Sequence, residues 1–165
     1  MSTDAIVILK QDHKDIKKLF REFRAAGEGA TKKKGDIVNK IIEALTVHTY
    51  IENEGMYPDV RKRVPDVEYN ILESYEEHHV ADVLVMELAA LSPDSEWFDA
   101  KTTVLIENVE HYIDEEKSEW FPKVRRRWGV RNFRSWASTC WSSKKAPRSP
   151  AQPSALTKTI DAVIK

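Results

Sequence analysis

Apolar residues return at steps of three and four along residues 4–127, so each segment reads as a helix that must press one face onto a partner. In the first, Ile6, Leu9, Ile16, Phe20 and Phe23 share a face, with His13 set among them. Thr3 or Asp4 suits its N-cap, and Gly27 and Gly29 suit its end. After the basic stretch Lys32 to Lys34, a second helix is expected from about Asp36 to Arg63, with Ile37, Ile41, Leu45, His48 and Glu52 on its inner face. Pro58 bends that helix or ends its regular part, because proline lacks the amide proton and crowds the preceding turn. Pro65, at a first-turn position, opens a third helix that runs to about Leu91. Ser92 and Pro93 make a cap and first turn for a fourth, which extends to about Arg127 with Val104, Asn108, His111, Glu115 and Ser118 on one line. Short connections imply antiparallel neighbours. The expected fold is all-α: an antiparallel up-down four-helix bundle over residues 1–127, then a basic, irregular tail with Trp and Pro over residues 128–165.

Charge divides at the same place. Residues 1–122 carry 15 Lys and Arg against 26 Asp and Glu, whereas residues 123–165 carry 11 against one. The formal net charge of −1 hides that split. A length of 165 residues suits one domain with a sizeable core. No apolar run approaches the roughly 18–20 residues of a membrane span, and the N-terminus lacks the pattern of a signal peptide. The single cysteine, Cys140, excludes an internal disulfide and a Cys-based zinc knuckle. With only five glycines and no Gly-rich phosphate loop, nucleotide chemistry is not expected. The expectation is a cytoplasmic chain with no membrane partner.

Every expected helix receives at least one of the five histidines, and none falls in a loop or in the tail. His48 and Glu52 lie one turn apart, as do His111 and Glu115; His13 and one of His78 and His79 complete the pattern. Neutral imidazoles bind borderline metals such as Fe(II), and carboxylates bridge two metal ions while balancing their charge. A lone histidine on a helix is more often a surface or hydrogen-bonded residue, and Glu52 and Glu115 alone would read as solvated charges. That plain reading weakens because five placements must coincide. Adjacent helical residues point about 100° apart, so His78 and His79 cannot both face one site. His78 is favoured, with Asp82 one turn later as a further oxygen.

At these residues the sequence resembles the hemerythrin-like, HHE cation-binding family. The matching pieces are Leu9-Lys10-Gln11-Asp12-His13, His48 to Glu52 with Tyr57-Pro58, Glu76-Glu77-His78-His79, and His111 to Glu116 with Phe121-Pro122. The resemblance covers roughly residues 5–125. It implies that His13, His48, Glu52, His78, His111 and Glu115 hold two iron ions in a non-haem, oxo- or carboxylate-bridged centre. It further implies binding of O2 or a related small oxidant, peroxide or NO, for sensing, carriage or detoxification. Iron storage or sensing, and peroxide decomposition, are the alternatives. Two departures stand out. Asp82 occupies the place of a second third-helix histidine, and His111 to Pro122 is one residue longer than His48 to Pro58, which makes Glu116 a rival to Glu115. Tyr75, one turn from His78, can donate a hydrogen bond near the site, although a core role suits it better.

The tail holds Trp128, Trp136 and Trp141 among Arg125 to Arg127, Arg131, Arg134, Lys144, Lys145 and Arg148. Aromatics interleaved with cations are one signature of nucleic-acid binding. Pro147, Pro150 and Pro153 favour an irregular tail instead. A third reading is a local frameshift, since codons for Gly129 to Ser143 can encode an amphipathic helical segment two bases out of frame. Nucleic acid is therefore the least expected partner.

Overall fold

A computed structural model describes residues 5–128, and the sequence-based readings of Thr3, Asp4 and the tail beyond Trp128 lie outside them. Its helices are α1 (Ala5–Ala25), α2 (Thr31–Tyr50), α3 (Tyr57–Arg63), α4 (Glu68–Ala90), α5 (Phe98–Glu115) and α6 (Phe121–Trp128). A π-helical turn, Ile51–Met56, joins α2 to α3, and another, Glu116–Trp120, joins α5 to α6. Four long helical rods result, and no strand occurs among the described residues. None of the described helices is long and apolar enough to cross a membrane.

The π-turns follow from two prolines. Pro58 and Pro122 each stand at the second residue of the helix that resumes after the turn. A proline inside an α-helix removes one hydrogen bond and its ring strikes the carbonyl four residues back. Widening the preceding turn relieves that clash without ending the rod. The second rod thus continues past Pro58 to Arg63 as expected, with its regular α-helix ending at Tyr50 and the π-turn filling Ile51–Met56.

Two helix starts differ from expectation. The second rod begins at Thr31, because Lys32 to Lys34 join its first turn, with the Lys34 amide donating to Ala30 O at 2.9 Å. Gly35 is buried there against Pro93; a Cβ at that position would stand 2.8 Å from the proline Cγ. Close approach, not a turn, is what demands glycine at 35. The fourth rod begins at Phe98, since Ser92 closes a tight turn (Ser95 N to Ser92 O, 3.0 Å) rather than capping a helix.

Two apolar clusters fill the bundle. One gathers Ile6, Leu9, Ile51, Met56, Tyr57, Val60, Ile71, Trp120 and Phe121. The other gathers Ile16, Phe20, Ile41, Leu45, Ala81, Val85, Leu105, Val109 and Ile113. On α1, Leu9 and Ile16 belong to different clusters with His13 between them. His48 falls likewise between Leu45 and Ile51, His78 between Ile71 and Ala81, and Glu116 between Ile113 and Trp120. Each rod thus crosses from one cluster to the other through a polar residue, and those residues form a layer. Burial of each large apolar side chain contributes about 1.5–3 kcal/mol, which is what holds a costly polar layer in place.

Candidate metal centre

Each rod delivers its polar residue from the face that carries its apolar stripe. His13, His48, Glu52, His78 and Glu116 are all buried, at no more than 1% exposure. The ligating atoms of His13, His48, Glu52 and Glu116 all lie within 4.8 Å of one another. His13 Nε2 stands 3.0 Å from His48 Nε2 and 3.1 Å from Glu116 Oε2. His48 Nε2 lies 3.1 Å from Glu52 Oε2, and His78 Nε2 lies 3.5 Å from the same oxygen. Three imidazole nitrogens and two carboxylates therefore converge, with Glu52 shared between His48 and His78.

Neighbours fix these groups. Asn53 Oδ1 lies 2.8 Å from His78 Nδ1 and accepts its proton, so the Nε2 lone pair faces the layer. Tyr75 donates to the Asn53 carbonyl at 3.0 Å and so pins the π-turn that presents Asn53. Tyr57 donates to Glu116 Oε1 at 2.8 Å, leaving Oε2 toward His13. Asp12 Oδ2, 3.9 Å from His48 Nδ1, is too far for a hydrogen bond but favours a proton on that nitrogen.

Burial sets the charge state of this layer. It pushes His13 down to about 3, with Lys117 acting in the same sense. Burial also lowers His48, and lowers His78 well below the usual imidazole range. Glu52 is raised well above the usual carboxylate range by burial and then by Glu116, while burial raises Glu116 to about 7. Tyr57 and Tyr112 are likewise pushed up, first by burial. Left to itself the layer carries little charge near pH 7, where Glu116 is about half ionised, because a buried charge without a counter-charge is costly.

The oxygens and nitrogens nevertheless do not satisfy one another. Both oxygens of Glu52, Glu116 Oε2, Tyr112 Oη, His13 Nδ1 and His48 Nδ1 are buried without a hydrogen-bond partner. Lone pairs facing a common point, with orphaned carboxylate oxygens, suit a cation bound by mixed nitrogen and oxygen donors. That donor set fits a borderline divalent ion better than calcium, which takes oxygens alone.

Of the six residues expected from the sequence, four meet here: His13, His48, Glu52 and His78. The His78 side chain is fully buried, whereas His79 is only partly buried. Asp82 is partly buried, and burial raises its carboxyl to about 6. His111 and Glu115 are not brought to the layer. The His111 side chain is 65% exposed and Glu115 32% exposed, and they meet Glu77 at the surface, with His111 Nε2 3.3 Å from Glu115 and 3.6 Å from Glu77. Glu116 takes the inner place. The reason is the stripe Phe98, Thr102, Leu105, Val109, Tyr112 and Glu116, every member buried, whereas Val104, His111 and Ser118 on the line drawn through His111 are exposed. Counting from the prolines gives the same answer, since Glu52 precedes Pro58 by six residues and Glu116 precedes Pro122 by six. Asn53 and Tyr112 carried no signal in the sequence beyond that register.

Comparison with known proteins places this geometry. A protein of Nostoc sp. (strain PCC 7120 / SAG 25.82 / UTEX 2576) named DNA nickase is 25% identical over 137 residues, which cover 83% of this chain and 38% of that protein. The chain thus spans well under two thirds of the relative it matches. No solved structure matches it. Residues 4–124 match the family described as the hemerythrin HHE cation binding domain, a span that contains all the buried ligand-type residues above. The described bundle holds a buried histidine and carboxylate cluster within that span, and the chain belongs to the hemerythrin HHE cation-binding family.

Proposed function

We propose that the protein is a non-haem di-iron protein that binds O2 or a related small oxidant, peroxide or NO, for sensing, carriage or detoxification. The observation that carries this reading is the convergence of three imidazole Nε2 atoms and two carboxylates whose buried oxygens lack partners. Two carboxylates rather than one support a pair of ions, because Glu52 lies between His48 and His78 and offers two free oxygens. When bound, iron supplies redox chemistry and an open coordination position.

The chain's own residues prepare that position. Asn53 holds the His78 tautomer, and Tyr57 holds Glu116 so that one oxygen faces His13. Burial favours the protonated form of Glu52, and of Glu116 below about pH 7, in the metal-free layer, and a binding cation displaces those protons. The flanking apolar clusters exclude bulk water and fix ligand rotamers by packing. An antiparallel up-down course belongs to this reading: α1 runs from the first cluster to the second, α2 returns, and α4 and α5 repeat the pair.

Metal analysis with a visible spectrum of the purified chain, before and after O2 or peroxide reaches the reduced form, tests the proposal. About two irons per chain with a spectral change on adding the oxidant supports it; no iron, or a single zinc, overturns it. A change that decays with repeated turnover favours peroxide decomposition, and iron uptake without response to oxidants favours storage or iron sensing. Nucleic-acid contact is a weaker second reading, resting on the relative named DNA nickase and on 11 cations against one acidic residue over residues 123–165. Salt-sensitive binding of duplex DNA by the full chain supports it, and no binding at low salt removes it.

A further inference from the structure

We propose that Tyr112 supplies a phenolate oxygen to the metal centre, in the place on α5 that His48 holds on α2. The inference rests on the metal-binding reading above and names a ligand that the histidine pattern does not contain.

Four correspondences lead to it. His48 precedes Pro58 by ten residues, and Tyr112 precedes Pro122 by ten, so the two residues hold the same register before matching π-turns. The ring geometry repeats as well. His13 meets His48 edge-on with centroids 4.7 Å apart at 72°, and His78 meets Tyr112 edge-on at 4.8 Å and 69°. The stacking partners repeat too: His13 lies over Phe121 and His78 over Tyr57, each the residue before its proline. Finally the carboxylates cross over, with Glu116 3.1 Å from His13 and Glu52 3.5 Å from His78. The layer is a pseudo-twofold arrangement whose two halves differ at two places: imidazole against phenol at His48 and Tyr112, and Phe121 against Tyr57, whose hydroxyl is already engaged with Glu116.

The phenol is placed to act as that donor. Tyr112 is fully buried, and its hydroxyl has no hydrogen-bond partner, which is costly for a buried donor. Tyr57, the other tyrosine of the layer, already donates to Glu116. His111 cannot fill the gap, since its side chain is 65% exposed and engaged with Glu77 and Glu115. Coordination breaks the Tyr112 O–H bond, forms a metal–oxygen bond and passes the proton to solvent; no electron moves. A phenolate is a hard anionic ligand, so the Tyr112 half favours ferric iron over zinc.

The full chain loaded with ferric iron tests this. Wild type should show a visible phenolate-to-iron charge-transfer band, with tyrosinate ring modes enhanced in the resonance Raman spectrum. Tyr112→Phe should lose both, Tyr69→Phe, at the exposed surface, should keep both, and Tyr112→His should lose both while still binding iron. Should Tyr112→Phe fail to fold, Tyr112→His still decides, since a band from any other tyrosine survives it. Iron bound by wild type without the band, or survival of the band in Tyr112→His, overturns Tyr112 as a ligand and leaves the metal centre standing. Failure of wild type to bind any metal overturns both.

Discussion

Removing the metal should turn the polar layer into a pH-dependent liability, and the sign can be worked out group by group. Burial raises Glu52 well above its ordinary value and raises Glu116 to about 7. In the unfolded chain both ionise near their ordinary value, about 4.5. The metal-free folded state therefore holds protons that the unfolded state has already released, and its stability falls as pH rises through that window. The histidines act in the opposite sense: His13 is lowered to about 3 against 6.5 unfolded, so stability is lost as pH falls below 6.5. Above pH 7 unfolded imidazoles are mostly neutral and that second effect is spent. One proton difference is worth about 1.4 kcal/mol per pH unit, so between pH 7 and 8.5 the metal-free chain should lose stability at up to that slope for as long as Glu52 keeps its proton. Guanidinium unfolding of the chelator-treated chain at fixed ionic strength measures this, because the two apolar clusters should keep the bundle folded without metal. In the metal-loaded chain the carboxylates are ionised in both states, so the loss should vanish; in metal-free Glu52→Gln it should fall by most of its size. A metal-free stability that is flat or rises over that window, or a full loss in Glu52→Gln, would refute the placement of Glu52 in a dry layer.

Mutations should follow position in the layer rather than residue type. His78→Ala should abolish stoichiometric iron binding by metal analysis, whereas His79→Ala should leave it within about twofold of wild type, since only His78 is fully buried. Glu116→Gln should impair iron binding, and His111→Ala and Glu115→Gln should not, because the latter pair sits at the surface. Asn53→Ala should weaken metal affinity about 10–100-fold in a competition titration, through loss of the hydrogen bond that orients His78. Gly35→Ala should destabilise the chain by about 1–3 kcal/mol in a denaturant melt, since its methyl group would meet Pro93 at 2.8 Å.

The rods were legible in the sequence because their stripes obey one period over many turns. His13, His48, Glu52 and His78 interrupt those stripes, and a polar residue on an apolar face is the one place where sequence alone marks a site. The fourth rod misled for a physical reason. Aligning it on His111 favours a line with exposed Val104 and Ser118, while amphipathicity favours the neighbouring line through Leu105, Val109 and Tyr112. The apolar stripe fixes which side faces inward, since it accounts for far more buried area than one histidine. Thr31 and Phe98 as helix starts were not legible. Lys32 to Lys34 read as a basic lead-in until Gly35 is seen packed inside the helix against Pro93, and Ser92 reads as a helix cap until its carbonyl is seen closing a turn.

The layer also explains why so polar a plane persists in a small bundle. Five ionisable groups buried together leave six orphaned atoms with Tyr112, and each orphan costs about 1–3 kcal/mol. Apolar residues of similar size at these five positions would join the two clusters into one core and remove that cost. Hydrophobic packing thus favours a bundle without the layer, and only a ligand that satisfies those atoms reverses the preference. A cation relieves the orphaned carboxylate oxygens in one step, because it pairs with both carboxylates and receives the imidazole Nε2 lone pairs, while the Nδ1 atoms of His13 and His48 stay outside that exchange. Binding energy and folding energy are then the same quantity at this plane, and a substitution there should change metal affinity and holo stability together, while one at an aliphatic residue of either cluster away from the layer, such as Val60 or Val85, should change chiefly stability.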